Sequence, residues 1–209
     1  MRSRADTVFE IKVTLLGIRP PIWRRLQVPA TYSFWDLHVA IQDAMGWLDY
    51  HLHEFRVVPA PRHRSLRIGI PDDDAFEGDR PILPGWEIPI AKYLTIRRNT
   101  ATYVYDFGDD WHHRVVLERV VPRLPGTSYP VCVTGQRKCP PEDVGGVPGY
   151  EQFLQAIGDP EHEEHDSYLT WVGGTYDPEA FDPQAIRFWD PGKRWRIAFL
   201  NEGEDEDEA

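Results

Sequence analysis

The sequence predicts an α+β fold: an N-terminal β-β-α-β unit plus a β-hairpin forming one mixed or antiparallel sheet, followed by a C-terminal set of short helices. Three observations carry this. Residues 8–16 and 51–58 alternate apolar and polar side chains, the period of a half-buried strand. Between them, Ser33 to Gly46 carries apolar residues at helical spacing. Beyond residue 58, strand and helix patterns do not alternate regularly, which argues against a doubly wound sheet.

Each element has a local reason. In residues 8–16, Phe9, Ile11, Val13 and Leu15 share one face, and Glu10, Lys12 and Thr14 the other. Gly17-Ile18-Arg19-Pro20-Pro21 breaks that strand, and residues 22–28 read as its antiparallel neighbour. Ser33-Phe34-Trp35-Asp36 has the capping-box pattern of a hydroxyl followed three residues on by an acid. Phe34, Leu37, Ile41, Ala44 and Met45 form the stripe, and Gly46 is the stop. In residues 51–58, His51, His53, Phe55 and Val57 point to one side. Residues 59–61, 71–74 and 80–85 read as Pro-rich loops, with a short helix expected over 90–94. Residues 103–107 and 111–121 form a hairpin around Gly108-Asp109-Asp110. Residues 122–149 read as one long loop holding both cysteines. Short helices are expected over 150–157 and about 160–172. Asp159-Pro160, Asp177-Pro178 and Asp182-Pro183 each set an N-cap acid before a proline suited to a first helical turn.

The 209 residues fit one domain over 1–200, and residues 201–209 are expected to be a disordered acidic tail. The net charge is −11, yet six of the acids lie in those last nine residues, so residues 1–200 carry −5. An acidic balance disfavours a nucleic-acid coat, because backbone binding needs Lys and Arg to neutralise phosphates. There is no apolar run of membrane-spanning length, and charges interrupt the N-terminal apolar stretch, so neither a membrane nor a secretory signal is expected. Two cysteines cannot make a disulfide framework. A cytoplasmic protein with reduced thiols follows.

Four groups of residues carry candidate chemistry. In the hairpin, Asp106, Asp109, His112 and His113 bring carboxylates near imidazoles. A three-residue loop centred on Asp109 would set Asp106 opposite His112, and a two-residue loop would set it opposite His113. Either pairing suits acid–base work or metal ligation. The plainer reading is that Gly and Asp build the turn while Tyr103, Tyr105 and Trp111 pack. His38, His51 and His53, with Glu54, are the second group. Three imidazoles meeting at the helix–sheet seam can hold zinc with one open position, but hydrogen-bonded core histidines give the same pattern. Cys132 and Cys139, followed by Glu142-Asp143, are the third. Their spacing is wider than a zinc knuckle and needs ligands such as His112 or His113 from elsewhere; two buried thiols are the alternative. His162-Glu163-Glu164-His165 is the fourth and has the wrong spacing for a zinc-protease helix, so it reads as a solvated face. Small basic clusters occur at Arg24-Arg25, Arg62-His63-Arg64, Arg97-Arg98 and Lys193-Arg194-Trp195-Arg196. No phosphate loop and no serine elbow is present.

Several stretches together resemble one family. They are Pro20-Pro21-Ile22-Trp23-Arg24-Arg25; Leu37 to Trp47 followed by His51-Leu52-His53-Glu54-Phe55; Tyr105-Asp106-Phe107-Gly108-Asp109-Asp110-Trp111; Cys139-Pro140-Pro141-Glu142-Asp143-Val144-Gly145-Gly146; and Trp171-Val172-Gly173-Gly174 with Asp177 to Asp182. The chain is similar to the plasmid pRiA4b Orf-3-like family over about residues 8–188. The resemblance implies an α+β fold and a prokaryotic origin, often with plasmids or transposable elements, and some members carry a resolvase-like label. It implies no reaction. The chain departs from the family pattern at Asp110, at His112-His113 and in the Pro-rich segment 79–90.

No complete catalytic constellation is legible. The leading expectation is a non-enzymatic interaction or accessory module in a plasmid or mobile-element context, with a protein partner and no required cofactor. The alternative is a metal-dependent hydrolase or nuclease using the Asp/His hairpin with zinc or another divalent metal. A DNA-binding accessory protein ranks third on charge.

Overall fold

A computed structural model describes residues 4–71 and 80–200. The acidic tail 201–209 and most of the expected loop 71–74 lie outside the described residues. The elements are β1 (Thr7–Leu15), β2 (Trp23–Pro29), α1 (Phe34–Met45), β3 (His53–Val57), β4 (Leu66–Gly69), β5 (Ile82–Pro84), β6 (Thr100–Tyr105), β7 (Trp111–Pro122), β8 (Val131–Gln136), α2 (Gly146–Gly158), α3 (His165–Trp171) and α4 (Pro191–Leu200). The strands form one sheet in the order β5-β4-β3-β6-β7-β1-β2-β8. Among the described residues only the β4–β5 pairing is parallel, which makes the sheet mixed.

The N-terminal unit follows its sequence pattern. β1 and β2 pair antiparallel, with Ile11 opposite Leu26. Ser33 accepts from the Asp36 N–H while Asp36 accepts from the Ser33 N–H, the reciprocal capping box. Gly46 ends α1 at φ 85, a left-handed cap suited to glycine. One sheet face, carrying Phe9, Ile11, Val13 and Leu15 with Phe55, Tyr103 and Val115, is buried in the core with Leu37 and Ile41 of α1 and Phe153 of α2. The other face, with Lys12, Thr102 and Arg114, carries the polar members of the same strands.

Three expectations need correction. The segment 80–85 is not all loop, because β5 adds a three-residue edge strand beside β4. Three residues are too few for an alternation signal, and Pro84 is tolerated where no ladder N–H is needed. The region 122–149 is not one long loop either. β8 lies inside it and pairs with β2. Gly135 hides that strand from propensity, yet no side chain fits there, since a Cβ would stand 2.6 Å from the Trp23 carbonyl oxygen. Asp159-Pro160, Asp177-Pro178 and Asp182-Pro183 open turns rather than helices, each carboxylate accepting from the amide two residues on, and the helix expected over about 160–172 begins only at His165. Finally, the same Asp-Pro signal works at Asp190-Pro191, where α4 begins and Asp190 accepts from the Lys193 N–H at 2.7 Å.

Candidate functional site

The hairpin turn is longer than either sequence register allowed. Tyr105 stands opposite Trp111, Val104 opposite His112 and Tyr103 opposite His113. Residues 106–110 therefore form a five-residue loop, and Asp106 faces neither histidine across the ladder. The core-facing His113 is fully buried, and burial pushes its imidazole down to about 3. His112 points the other way and meets Asp110 at 2.9 Å. Asp109 accepts from the Gly145 N–H at 3.1 Å, so it latches two loops together. Of the four hairpin candidates, only Asp106 enters a cluster of donor groups.

That cluster is His51, Asp106 and Asp143, whose ligating atoms lie within 4.8 Å of one another. Asp106 adopts φ 54, a left-handed conformation that aspartate tolerates. Its Oδ1 accepts from the Gly108 N–H at 2.9 Å, which fixes the carboxylate and leaves Oδ2 aimed at His51 Nε2, 3.6 Å away. Asp143 also has positive φ, at 57, and brings Oδ1 to 2.8 Å from the same nitrogen. Despite this closeness His51 Nε2 is buried and has no hydrogen-bond partner of acceptable direction. Both oxygens converge on one nitrogen without satisfying it.

Three loops build this site, and backbone contacts stitch them together. Loop 46–52 follows α1, loop 106–110 joins β6 to β7, and loop 137–145 precedes α2. Leu48 N–H donates to Glu142 Oε1 at 2.8 Å, and Asp106 N–H donates to the Leu52 carbonyl at 3.0 Å. Tyr105 hydroxyl donates to Glu142 Oε1 at 3.0 Å. Burial, and secondarily the charge of Asp143, holds the Glu142 carboxyl above its usual range. Burial beside Glu142 likewise pushes the Tyr105 phenol up. Around the site Leu48, Tyr50, Leu52 and Phe107 are exposed. Sequence reading named His51 and Asp106 but assigned no role to Glu142 or Asp143. The available signal was that the His51, Tyr105–Trp111 and Cys139–Gly146 stretches each carry an acid or a histidine in a turn.

The expected trio of histidines splits. His38 and His53 stack in the core, ring centroids 3.4 Å apart, while His51 leaves for the loop site. Tyr103 hydroxyl lies 2.8 Å from His38 Nδ1 and accepts from Gln42 at 2.8 Å. His38 Nε2 lies 2.8 Å from Asp49 Oδ1 but, like His51 Nε2, has no hydrogen-bond partner of acceptable direction, and His38, Asp49 and His53 form a second group of three donors. Burial, and the neighbouring His38, hold His53 well below its usual range. Arg194 of α4 lies over this group, 3.6 Å from both Asp43 and Asp49. The positive charge of Arg194 beside Asp49 and the burial of both imidazoles make this the less accessible of the two groups and the less favourable to a cation.

Cys132 and Cys139 are free and buried. Burial drives their thiols up to about 11 and about 12, against the pull of Arg24. Among the described residues, neither cysteine joins a group of three metal-ligating side chains. His165 Nδ1 donates to the Ala156 carbonyl, 2.9 Å away, near the end of α2. Trp195 packs on Trp86 and Phe199, so the Lys193–Arg196 cluster does not present a free aromatic. Among the described residues, no helix is long and apolar enough to cross a membrane.

Comparison with known proteins bears on the fold and the family. A family model described as "Plasmid pRiA4b ORF-3-like protein" matches residues 7–185. The chain is similar to "Uncharacterized protein y4hQ" of Sinorhizobium fredii, 39% identical over 175 residues, covering 83% of this chain and 86% of that protein. It is also similar to a crystal structure of a protein of unknown function, MM3350 from Methanosarcina mazei Go1, with TM-score 0.80 and 43% identity over 87% of this chain and 97% of that one. Helix α4 lies beyond the stretch the family model matches.

Proposed function

The chain belongs to the plasmid pRiA4b ORF-3-like family, and on that footing we propose that it is a metal-dependent hydrolase centred on His51, Asp106 and Asp143. One observation carries the reading: three separate loops deliver an imidazole and two carboxylates to one point. One nitrogen and two oxygen donors suit zinc or manganese with coordination positions left for water and substrate. A bound divalent ion would lower the pKa of its water and polarise a carbonyl or phosphoryl oxygen. Glu142 is the acid–base group. Its raised affinity for protons and its anchoring by Tyr105 and Leu48 hold it beside the site in a form suited to taking a proton from water.

A second reading is the interaction module, favoured by the exposed Leu48, Tyr50, Leu52 and Phe107 on the same loops. The two part on turnover. Purified protein loaded with manganese or zinc is assayed against generic phosphodiester and carboxylic ester substrates beside Glu142→Gln. Metal-dependent turnover that falls at least 100-fold in Glu142→Gln, with metal still bound, supports the hydrolase. Retained metal without turnover in either protein leaves a metal-organised interaction surface and removes the hydrolase.

A further inference from the structure

We propose a second site, on the open face of the sheet: a groove that binds a small organic diphosphate or triphosphate through Arg97, Arg98 and Arg114, with Arg56 at its edge. The site lies at the opposite end of β3 and β6 from His51 and Asp106 and needs nothing from the metal reading.

The sheet register builds the groove. Arg56 on β3 stands opposite Thr102 on β6, and Thr102 stands opposite Arg114 on β7. These three side chains thus form one cross-strand row on the face that the helices do not cover. A tight turn closed by Thr95 and Arg98, through paired backbone bonds of 2.9 and 3.0 Å, swings Arg97 and Arg98 to the same place. The resulting cavity is about 540 Å³, within the usual size of a small-ligand site.

The charges in the groove are unlike those on the rest of that face. Arg25 pairs with Glu118, and Arg119 with Glu10. Arg56 shares the buried Glu54 with Arg67. Among the described residues, Arg97, Arg98 and Arg114 have no ion pair, although the chain carries a net charge of −11 and acids are plentiful. Three like charges in one groove repel each other, and nothing in the fold is gained by gathering them. Three guanidiniums match an organic diphosphate, which carries roughly three negative charges at neutral pH. Guanidinium forks bind phosphate oxygens in pairs, which favours terminal phosphate groups over isolated charges. Among the described residues, the remaining walls are Val58, Ala60, Pro61, Asn99, Thr100 and Ala101, none of them aromatic. A strand of nucleic acid would lack a stacking platform here, so the recognised feature is the phosphate cluster of a small molecule.

Calorimetric titration with pyrophosphate, ADP and ATP in low salt tests this. EDTA is included so that no metal at His51 bridges to the ligand. Binding of ADP or ATP is expected, at least tenfold weaker in Arg97→Ala/Arg98→Ala and in Arg114→Gln, and unchanged in His51→Ala. The arginines are exposed, so thermal unfolding of the variants should match the parent. No heat at millimolar ADP, ATP and pyrophosphate overturns the proposal, as does binding that the arginine variants leave intact. Inorganic phosphate binding as tightly as ADP reduces the groove to a general anion patch and also overturns it. A single-stranded oligonucleotide that binds more tightly than ATP and displaces it assigns the groove to nucleic acid instead.

Discussion

Gly146 lies so close to the Asp109 carbonyl oxygen that an added Cβ would stand 2.5 Å from it. Asp109 lies in loop 106–110 and Gly146 opens α2, and the contact, with the Gly145 N–H bond to the Asp109 carboxylate, sets the distance between loops 106–110 and 137–145. Through it, Asp106 and Asp143 are held on either side of His51. Gly146 also has φ 66, a conformation costly for any side chain. Gly146→Ala is therefore expected to cost about 1–3 kcal/mol of stability, measured by urea unfolding. It should weaken metal binding more than Asp109→Ala does, because it forces the loops apart rather than removing one bond.

The buried histidines predict acid sensitivity of a definite sign. His113 is pushed down to about 3, and His53 is also lowered, so both stay neutral in the folded protein. In the unfolded chain they take up protons near pH 6.5. The unfolded state then binds more protons, so their contribution to stability is present above pH 6.5 and is lost as pH falls toward the folded values. Each group adds a slope of about 1.4 kcal/mol per pH unit in that window. Urea midpoints between pH 7 and pH 5 should fall with pH, and His113→Phe should flatten the curve by one group's share.

The cysteines should be inert while the protein is folded. Thiols held at about 11 and about 12 carry almost no thiolate at pH 7.5. Ellman's reagent is expected to label neither residue in native buffer over minutes and both at once in denaturant. Rapid native labelling of Cys132 or Cys139 would show that the edge at β8 opens far more readily than its packing against β2 implies.

Much of the fold was legible because its patterns are local. The period of residues 8–16, the Ser33/Asp36 box and the Gly46 stop each rest on neighbouring residues alone. β5 and β8 were hidden because their stability comes from partners distant in sequence: Leu83 beside Ile68, and Cys132 beside Leu26. The site was half legible for the same reason. His51 and Asp106 stood out by residue type, but their meeting depends on turn length. The five-residue turn at 106–110 carries two positive-φ aspartates, Asp106 and Asp110, that no alternation rule anticipates. The pairing of Asp106 with Asp143 rather than with His112 or His113 is a property of loop packing, and only the glycines at 145 and 146 hinted at it.

Equilibrium metal binding tests whether His51, Asp106 and Asp143 hold one divalent ion. Metal-free protein is titrated with manganese and with zinc, beside Asp106→Ala/Asp143→Ala and His53→Ala. One ion per chain is expected in the parent and in His53→Ala, with affinity reduced at least 100-fold in the double variant. No binding at millimolar metal, or an ion retained by Asp106→Ala/Asp143→Ala and lost in His53→Ala, would contradict it.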